Sequence, residues 1–340
     1  GRPNTSSDYF KGMAVSRPEI AKLREIRDSI QSFKNLKITV GKDGRNRFMQ
    51  SPFASITGRN QPSNSRNIFG GPKWMRNLIQ PPPGFAMAYT DWSGNEVGIA
   101  GYLSQDQLMM EMYESDDFYL SFAKHVRHAP PDATKETHKE IREKFKVLSL
   151  AQMYGQGPQG IANRLSCILP EAEALVRLHK RTFKTFWEWS DQQVSKALLH
   201  KKIVAPHGWQ YHVRSEEVDA DGRKEGPNLR RLQNWSMQTS GSEMMRSAAI
   251  KMAQNNIMAG AVIHDAFLII APEDQIEKAF EITQELMAEA SAEVLGGHPL
   301  KTDAEIFIYL ERFPEPRGEA VWNMVQEFLE KHESKQAVLI

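Results

Sequence analysis

One cysteine, Cys167, stands among 340 residues. That excludes a disulfide framework and any zinc site needing two thiolates. No uninterrupted apolar run nears the roughly 18 residues that a membrane helix requires, so no membrane partner is expected. The first residues, Gly1-Arg2-Pro3-Asn4-Thr5-Ser6-Ser7, lack the apolar core of a signal peptide. An initiator Met is also missing, which suggests a piece of a longer protein. There is no internal repeat, and Pro81-Pro82-Pro83 is the only biased tract. What remains is 25% charged and 40% hydrophobic, the make-up of a globular chain with two or three subdomains. The expected setting is intracellular, and cytoplasmic if the source is bacterial or phage.

Net charge is only +1, yet it is unevenly spread. Residues 34–76 hold nine Lys or Arg against one acid, Asp43, whereas residues 271–340 hold fifteen acids against six bases. A basic end opposite an acidic end suits a polyanion-binding face; an ordinary solvated surface fits the charge equally well.

Apolar spacing gives the organisation. Ile20, Leu23, Ile26 and Ile30 form a helical stripe over residues 17–33. Residues 35–83 are rich in Gly, Pro, Asn and Arg and read as extended segments and loops. Residues 85–90 read as a buried strand ending at Asp91. Helical patterns fill residues 94–200 and 228–257. Residues 261–270 are two β runs around a polar pair, His264-Asp265, with an acidic helix after them. The class is α+β, with a helical block inserted between strands.

Gly155-Gln156-Gly157-Pro158-Gln159-Gly160 matches a dinucleotide-binding fingerprint. Its context does not. A helix reads before it, Pro158 falls in the supposed loop, and residues 175–183 hold no acid for a ribose.

Asp91 and Asp265 carry more. An acid at a strand end is usually a cap or turn residue, but two on neighbouring strands can hold divalent cations. Arg142, Lys146, Leu150 and Tyr154 lie at steps of four, hence on one slowly winding helical face. Two cations, an apolar residue and an aromatic match the order of phosphates, sugar and base in a nucleoside triphosphate; taken alone, the row fits better a surface helix with i,i+4 neighbours and a buried aromatic end. Arg230, Asn234 and Gln238 repeat the step of four, with donors suited to the minor-groove acceptors common to every base pair; the alternative is the polar outer face of a helix whose Met244, Met245, Ala248 and Met252 face the core.

In this order the segments resemble the polymerase domain of family A DNA polymerases, the DNA polymerase I family. Thr57-Gly58-Arg59 is similar to the family's T-G-R element, and Asp91-Trp92-Ser93-Gly94-Asn95-Glu96 to motif A, D-Y-S-Q-I-E. Arg142, Lys146, Tyr154 and Gly155 fit motif B, R-x3-K-x7-Y-G. Asn234 and Gln238 fit N-x3-Q, and His264-Asp265 resembles motif C, H-D-E.

The resemblance implies a right-hand polymerase fold with an antiparallel palm sheet, helical fingers and a partial thumb. The expected division is a partial thumb over residues 1–50 and palm over 51–110 and 201–311. Fingers would span 111–200, with the motif B helix at 142–155, and a helical tail 312–340. The implied activity is primer extension with dNTPs on a DNA template, using two Mg²⁺ ions or Mn²⁺ in their place. Asp91, Asp265 and the carbonyl of Trp92 would hold the ions. Arg142 and Lys146 would bind triphosphate, Lys146 also serving as general acid. Leu150 and Tyr154 would pack on sugar and base, with Glu96 as the gate against a 2′-OH. Arg59, Arg230, Asn234, Gln238 and His264 would follow primer–template DNA.

Departures mark a divergent member. Ala266 stands where motif C has Glu, Gly94-Asn95 where motif A has Gln-Ile, and Gly98 where Arg is usual. Leu150 replaces an aromatic, and Thr239 a Gly. The ninety residues before Asp91 are too few for a proofreading exonuclease. Asp303-Ala304-Glu305 reads as the end of the last palm strand rather than a nuclease pair. A primer–template-binding relic and a single-subunit RNA polymerase-like enzyme are the alternatives. Ala266 favours the first, and Glu96 argues against the second.

Overall fold

The computed structural model describes residues 9–10, 13, 17–35, 37–63, 65–218 and 224–337. Residues 1–7, read above as no signal peptide, lie outside the described residues. Among the described residues no helix is long and apolar enough to cross a membrane. Helix α1 (Pro18–Asn35) matches the expected stripe, although Leu23, Ile26 and Ile30 are each about half exposed.

Strand β1 (Phe85–Trp92) organises the rest. Its burial alternates residue by residue, so Ala86, Ala88, Thr90 and Trp92 share one face and Met87, Tyr89 and Asp91 the other. A helical block then follows: α2 (Asn95–Ser104), α3 (Gln107–Glu114), α4 (Phe118–His125), α5 (Lys139–Met153), α6 (Pro158–Leu165), α7 (Leu169–Thr182) and α8 (Lys184–His200). Helix α9 (Leu229–Gln254) leads back to the sheet through β2 (Ala259–Ile263) and β3 (Ala266–Pro272). Helix α10 (Ile276–Val294), β4 (Thr302–Ile308) and α11 (Glu319–Ala337) complete the order. The four strands run β4-β1-β3-β2, every pair antiparallel. This is the expected α+β class.

Each face of the sheet has its own cover. Trp92, Phe267 and Ile269 pack with Met244 and Met252 of α9 and Met287 of α10. Phe267 is fully buried, and truncating such a ring to alanine costs about 3–5 kcal/mol. On the opposite face Ile68, Phe69, Met75 and Phe313 close over Leu268 and Phe307, with Met87 and Tyr89 beside them. That apolar plug does not include Asp91, which lines an open cavity instead. The two inner strands, β1 and β3, are thus largely covered, while the acidic end of the sheet stays accessible.

Helix α11 is tied to this plug by Trp322, whose ring meets Trp74 at 6.4 Å. Beside it, buried Arg76 donates to Glu315 at 2.9 Å. Burial would raise the Glu315 carboxyl, but Arg317 and Arg76 outweigh it and hold it below the ordinary range.

Two local expectations change. Pro158 does not sit inside a loop; it opens α6, where a missing N–H costs no helical bond. Helix α5 precedes Gly155, so the strand that dinucleotide binding needs is not there. Helix α5 also ends at Met153, which leaves Tyr154 and Gly155 just beyond it, Gly155 at φ 66°.

Candidate active site

The acidic end is built by strand pairing. Asp91 faces Ala266 of β3 on one side and Asp303 of β4 on the other. His264 and Asp265 form the two-residue turn between β2 and β3, His264 at φ 53°. A non-glycine residue in that region is uncommon and is held there by its surroundings. Asp265 therefore sits beside Asp91 although 174 positions separate them in sequence. Burial, then the charges of Asp265 and Asp303, push the Asp91 carboxyl up to about 6. Asn95 Nδ2 donates to Asp265 Oδ2 at 3.4 Å. The Trp92 indole is turned back into the core, donating to Met287 O at 3.2 Å, so its backbone is what borders the cavity.

Opposite these acids lies α5. Arg142, Lys146 and Leu150 line one open cavity of about 320 Å³ together with Asp91, Glu96, Asp265 and Asp303. Their four-residue spacing aims all three at one side. Arg142 is preset: its Nε donates to Asp117 Oδ2 at 2.7 Å and its Nη1 to Glu143 Oε1 at 2.9 Å. Asp117 also caps α4, accepting from Leu120 N at 2.8 Å, so one carboxylate fixes both helices. Lys146 has no ion-pair partner among the described residues.

Tyr154 joins three elements. Its hydroxyl donates to Glu96 Oε1 at 3.2 Å and accepts from Gln238 Nε2 at 2.8 Å. Burial, then the Glu96 charge, raise its phenol above the ordinary value, so it stays a neutral donor. Glu96 is thereby held at the cavity edge.

The segment bearing Arg59 is pinned by four donors. Trp209 and Trp235 Nε1 both reach Ile56 O at 3.1 Å, Thr239 Oγ1 reaches Thr57 O at 2.8 Å, and Arg246 Nη1 reaches Gly58 O at 2.7 Å. Thr239, unusual in the motif, thus has a local structural reason. Arg59 and His264 line a second, smaller cavity of about 120 Å³, and Asn95 and Asp265 border both. Arg230 is exposed beside Gly155, and Asn234 is half-buried on the same face of α9; neither lines these two cavities. Gly98 is also explained: an added Cβ would lie 2.8 Å from Leu300 Cδ2 and 2.9 Å from the Tyr113 ring.

The family model described as DNA polymerase family A matches residues 35–306. The chain belongs to that family. It is 20% identical to the DNA polymerase of Escherichia phage T5 across 90% of this chain and 40% of that protein. It is 23% identical to DNA polymerase I of Bacillus subtilis (strain 168), across 63% of this chain and 24% of that one. The chain thus spans less than half the length of these relatives. In three dimensions it resembles the POL domain of Pol1 from M. smegmatis, solved in complex with DNA primer-template and dNTP. The TM-score is 0.70 at 18% identity, covering 90% of this chain and 56% of that one. That likeness establishes the right-hand polymerase fold.

Several residues lining the larger cavity were not singled out by the motifs as working groups. Asn95, Asp117, Tyr113, Lys301 and Asp303 all line the cavity. Tyr113 donates to Ser93 O and accepts from Lys301 N, both at 3.0 Å, which fixes the start of β4 against the turn after β1. Asp117 was legible as a helix cap, Asp ahead of an apolar run, but its grip on Arg142 was not.

Proposed function

We propose that this chain is the polymerase core of a template-directed DNA polymerase that adds deoxynucleotides to a primer 3′ end. One observation carries the reading: in a family A chain, Asp91 and Asp265 face Arg142 and Lys146 across a single open cavity. A cavity lined by both these acids and these cations suits a nucleoside triphosphate whose reacting phosphorus lies between them. We assign residues 51–110 and 201–311 to the palm, 111–200 to the fingers and α1 to the base of a thumb.

The donor set fits a divalent cation. Asp91 and Asp265 offer hard carboxylate oxygens, and a cation held by them would relieve the repulsion from Asp265 that, after burial, raises the Asp91 carboxyl. Among the described residues no three His, Cys, Asp or Glu are close enough to enclose an ion. This suits Mg²⁺, or Mn²⁺, which takes few protein ligands and completes its shell with water and phosphate oxygens. Asp91, Asp265 and the Trp92 carbonyl would hold such cations, which would supply activation of the primer hydroxyl and neutralisation of charge on the leaving oxygen.

The chain's own groups do the rest. Arg142, already oriented by Asp117, and Lys146 bind the triphosphate; Lys146 donates a proton to the departing pyrophosphate. Leu150 and Tyr154 support sugar and base, and Glu96 bars a 2′-OH. Arg59, Arg230, Asn234, Gln238 and His264 follow the minor groove of primer–template DNA.

Primer extension on a templated hairpin tests this, comparing dNTPs with ribonucleotides. Extension with dNTPs only, abolished by Asp91→Ala or Asp265→Ala, is the expected result. Primer–template binding without extension refutes the enzyme reading and favours a DNA-binding relic, for which Ala266 is the motivating residue.

A further inference from the structure

Resting on that reading, we infer that Asp303 supplies the third acidic group of the cation site, acting through its charge and the cation's water ligands. Asp91 is on an inner strand and has two cross-strand neighbours in register, Ala266 and Asp303. Directly paired residues of an antiparallel sheet project to the same face, so Asp303 shares the Asp91 side. The acid missing at position 266 on one neighbouring strand is present on the other. Both aspartates and Asp265 line the same cavity.

Lys135, Arg142, Lys146 and Lys301 line the same cavity, and none of them pairs with Asp303 among the described residues. Lys301, two residues before Asp303 on the same face, is committed elsewhere. Its Nζ donates to Glu114 O at 2.6 Å, Ser115 O at 3.2 Å and Tyr113 O at 3.3 Å, closing the end of α3. Arg142 across the cavity is held by Asp117 and Glu143. Asp303 itself makes no hydrogen bond or ion pair among the described residues.

A second observation points to a ligand here. Asn95 lines the cavity and is only 3% exposed, yet its Oδ1 has no partner while its Nδ2 donates to Asp265. A buried amide oxygen left without a donor costs stability unless something meets it. A cation held by Asp91 and Asp265 would bring water ligands whose O–H groups suit that oxygen. No three acids enclose the ion directly, which is why Asp303 is assigned a role through water.

The competing explanation is simple. Strand β4 is an edge, and edge strands carry charge to discourage further pairing. Glu305 is on the same strand and the same face but outside the cavity, and so separates the two. The experiment is Mn²⁺ titration of the full chain without DNA, free ion followed by electron paramagnetic resonance, with thermal melting as a check on folding. Asp303→Asn is expected to bind Mn²⁺ about tenfold more weakly, Asp303→Glu to regain much of the loss, and Glu305→Gln to match wild type. If Asp303→Asn binds as wild type does while Asp91→Asn has lost Mn²⁺, Asp303 is only an edge charge and the inference falls. If Asp91→Asn also binds normally, the cation site itself is wrong and the proposed function falls with it.

Discussion

Mn²⁺ binding to the wild-type chain should weaken as the solution is acidified, with its midpoint near pH 6. Burial at the end of β1, then Asp265 and Asp303, lift the Asp91 carboxyl from the ordinary 3.8 to about 6. Proton and cation compete for that carboxylate, so apparent affinity follows its ionised fraction. For a group titrating at 6 that fraction is roughly 0.9 at pH 7 and roughly 0.1 at pH 5, a loss of about tenfold. An ordinary aspartate stays more than ~90% ionised at pH 5 and would give almost no change. The sign for stability follows from the same shift. The folded value lies above the unfolded one, so Asp91 favours the metal-free fold fully below about 3.8. That contribution is lost as pH rises through about 6. Mn²⁺ should therefore raise the melting temperature more at pH 7 than at pH 5. Titrations at pH 5, 6 and 7, with Asp91→Asn as reference, check both effects. An affinity that is flat across this range, with Mn²⁺ still bound, would show that Asp91 does not hold the cation.

Lys146→Ala should lower single-turnover incorporation by about 10²-fold or more while primer–template affinity holds within about twofold; a matching loss of DNA binding would place Lys146 on the DNA instead. Glu96→Ala removes the carboxylate held by Tyr154 and should raise ribonucleotide incorporation relative to dNTPs by at least about tenfold, read from competition extension on one template. Gly98→Ala should be destabilising by about 1 kcal/mol in urea, because an overpacking cost of about 1–3 kcal/mol exceeds the roughly 1 kcal/mol gained in helix propensity. His179 is fully buried, accepts from Trp187 Nε1 at 3.1 Å, and burial pushes its imidazole down to about 3. Its contribution is present above about 6.5 and lost as pH falls toward 3, so His179→Phe should flatten the acid side of the melting profile between pH 6.5 and 4.5.

What the sequence made legible was local. Steps of four put Arg142, Lys146 and Leu150 on one side of α5, and the structure lines a cavity with all three. Two β runs around His264-Asp265 gave the hairpin turn, and the apolar run over residues 85–90 gave a buried strand ending at Asp91; that β1 runs on to Trp92 and alternates between two faces is visible only in the fold. Contacts set by tertiary pairing were out of reach. Nothing in residues 95 or 117 announces a bond to Asp265 or to Arg142, because those partners are brought close only by the fold.

Asp303 shows why in physical terms. Asp303-Ala304-Glu305 reads in the sequence as the end of a strand, whereas these residues begin β4; only Phe307 of that strand is buried, so no alternation marks which face is inward. Without that signal the register cannot be assigned from sequence, and a slip of one residue would turn Asp303 to the other face. Pairing with β1 removes the ambiguity, since Asp303 lies opposite Asp91 and Glu305 opposite Tyr89. A linear motif inspects only the position after Asp265 and finds an acid gone. A sheet gives β1 two neighbours, and the charge has a place on either side. Ala266 therefore does not by itself argue for a chain that has lost its chemistry.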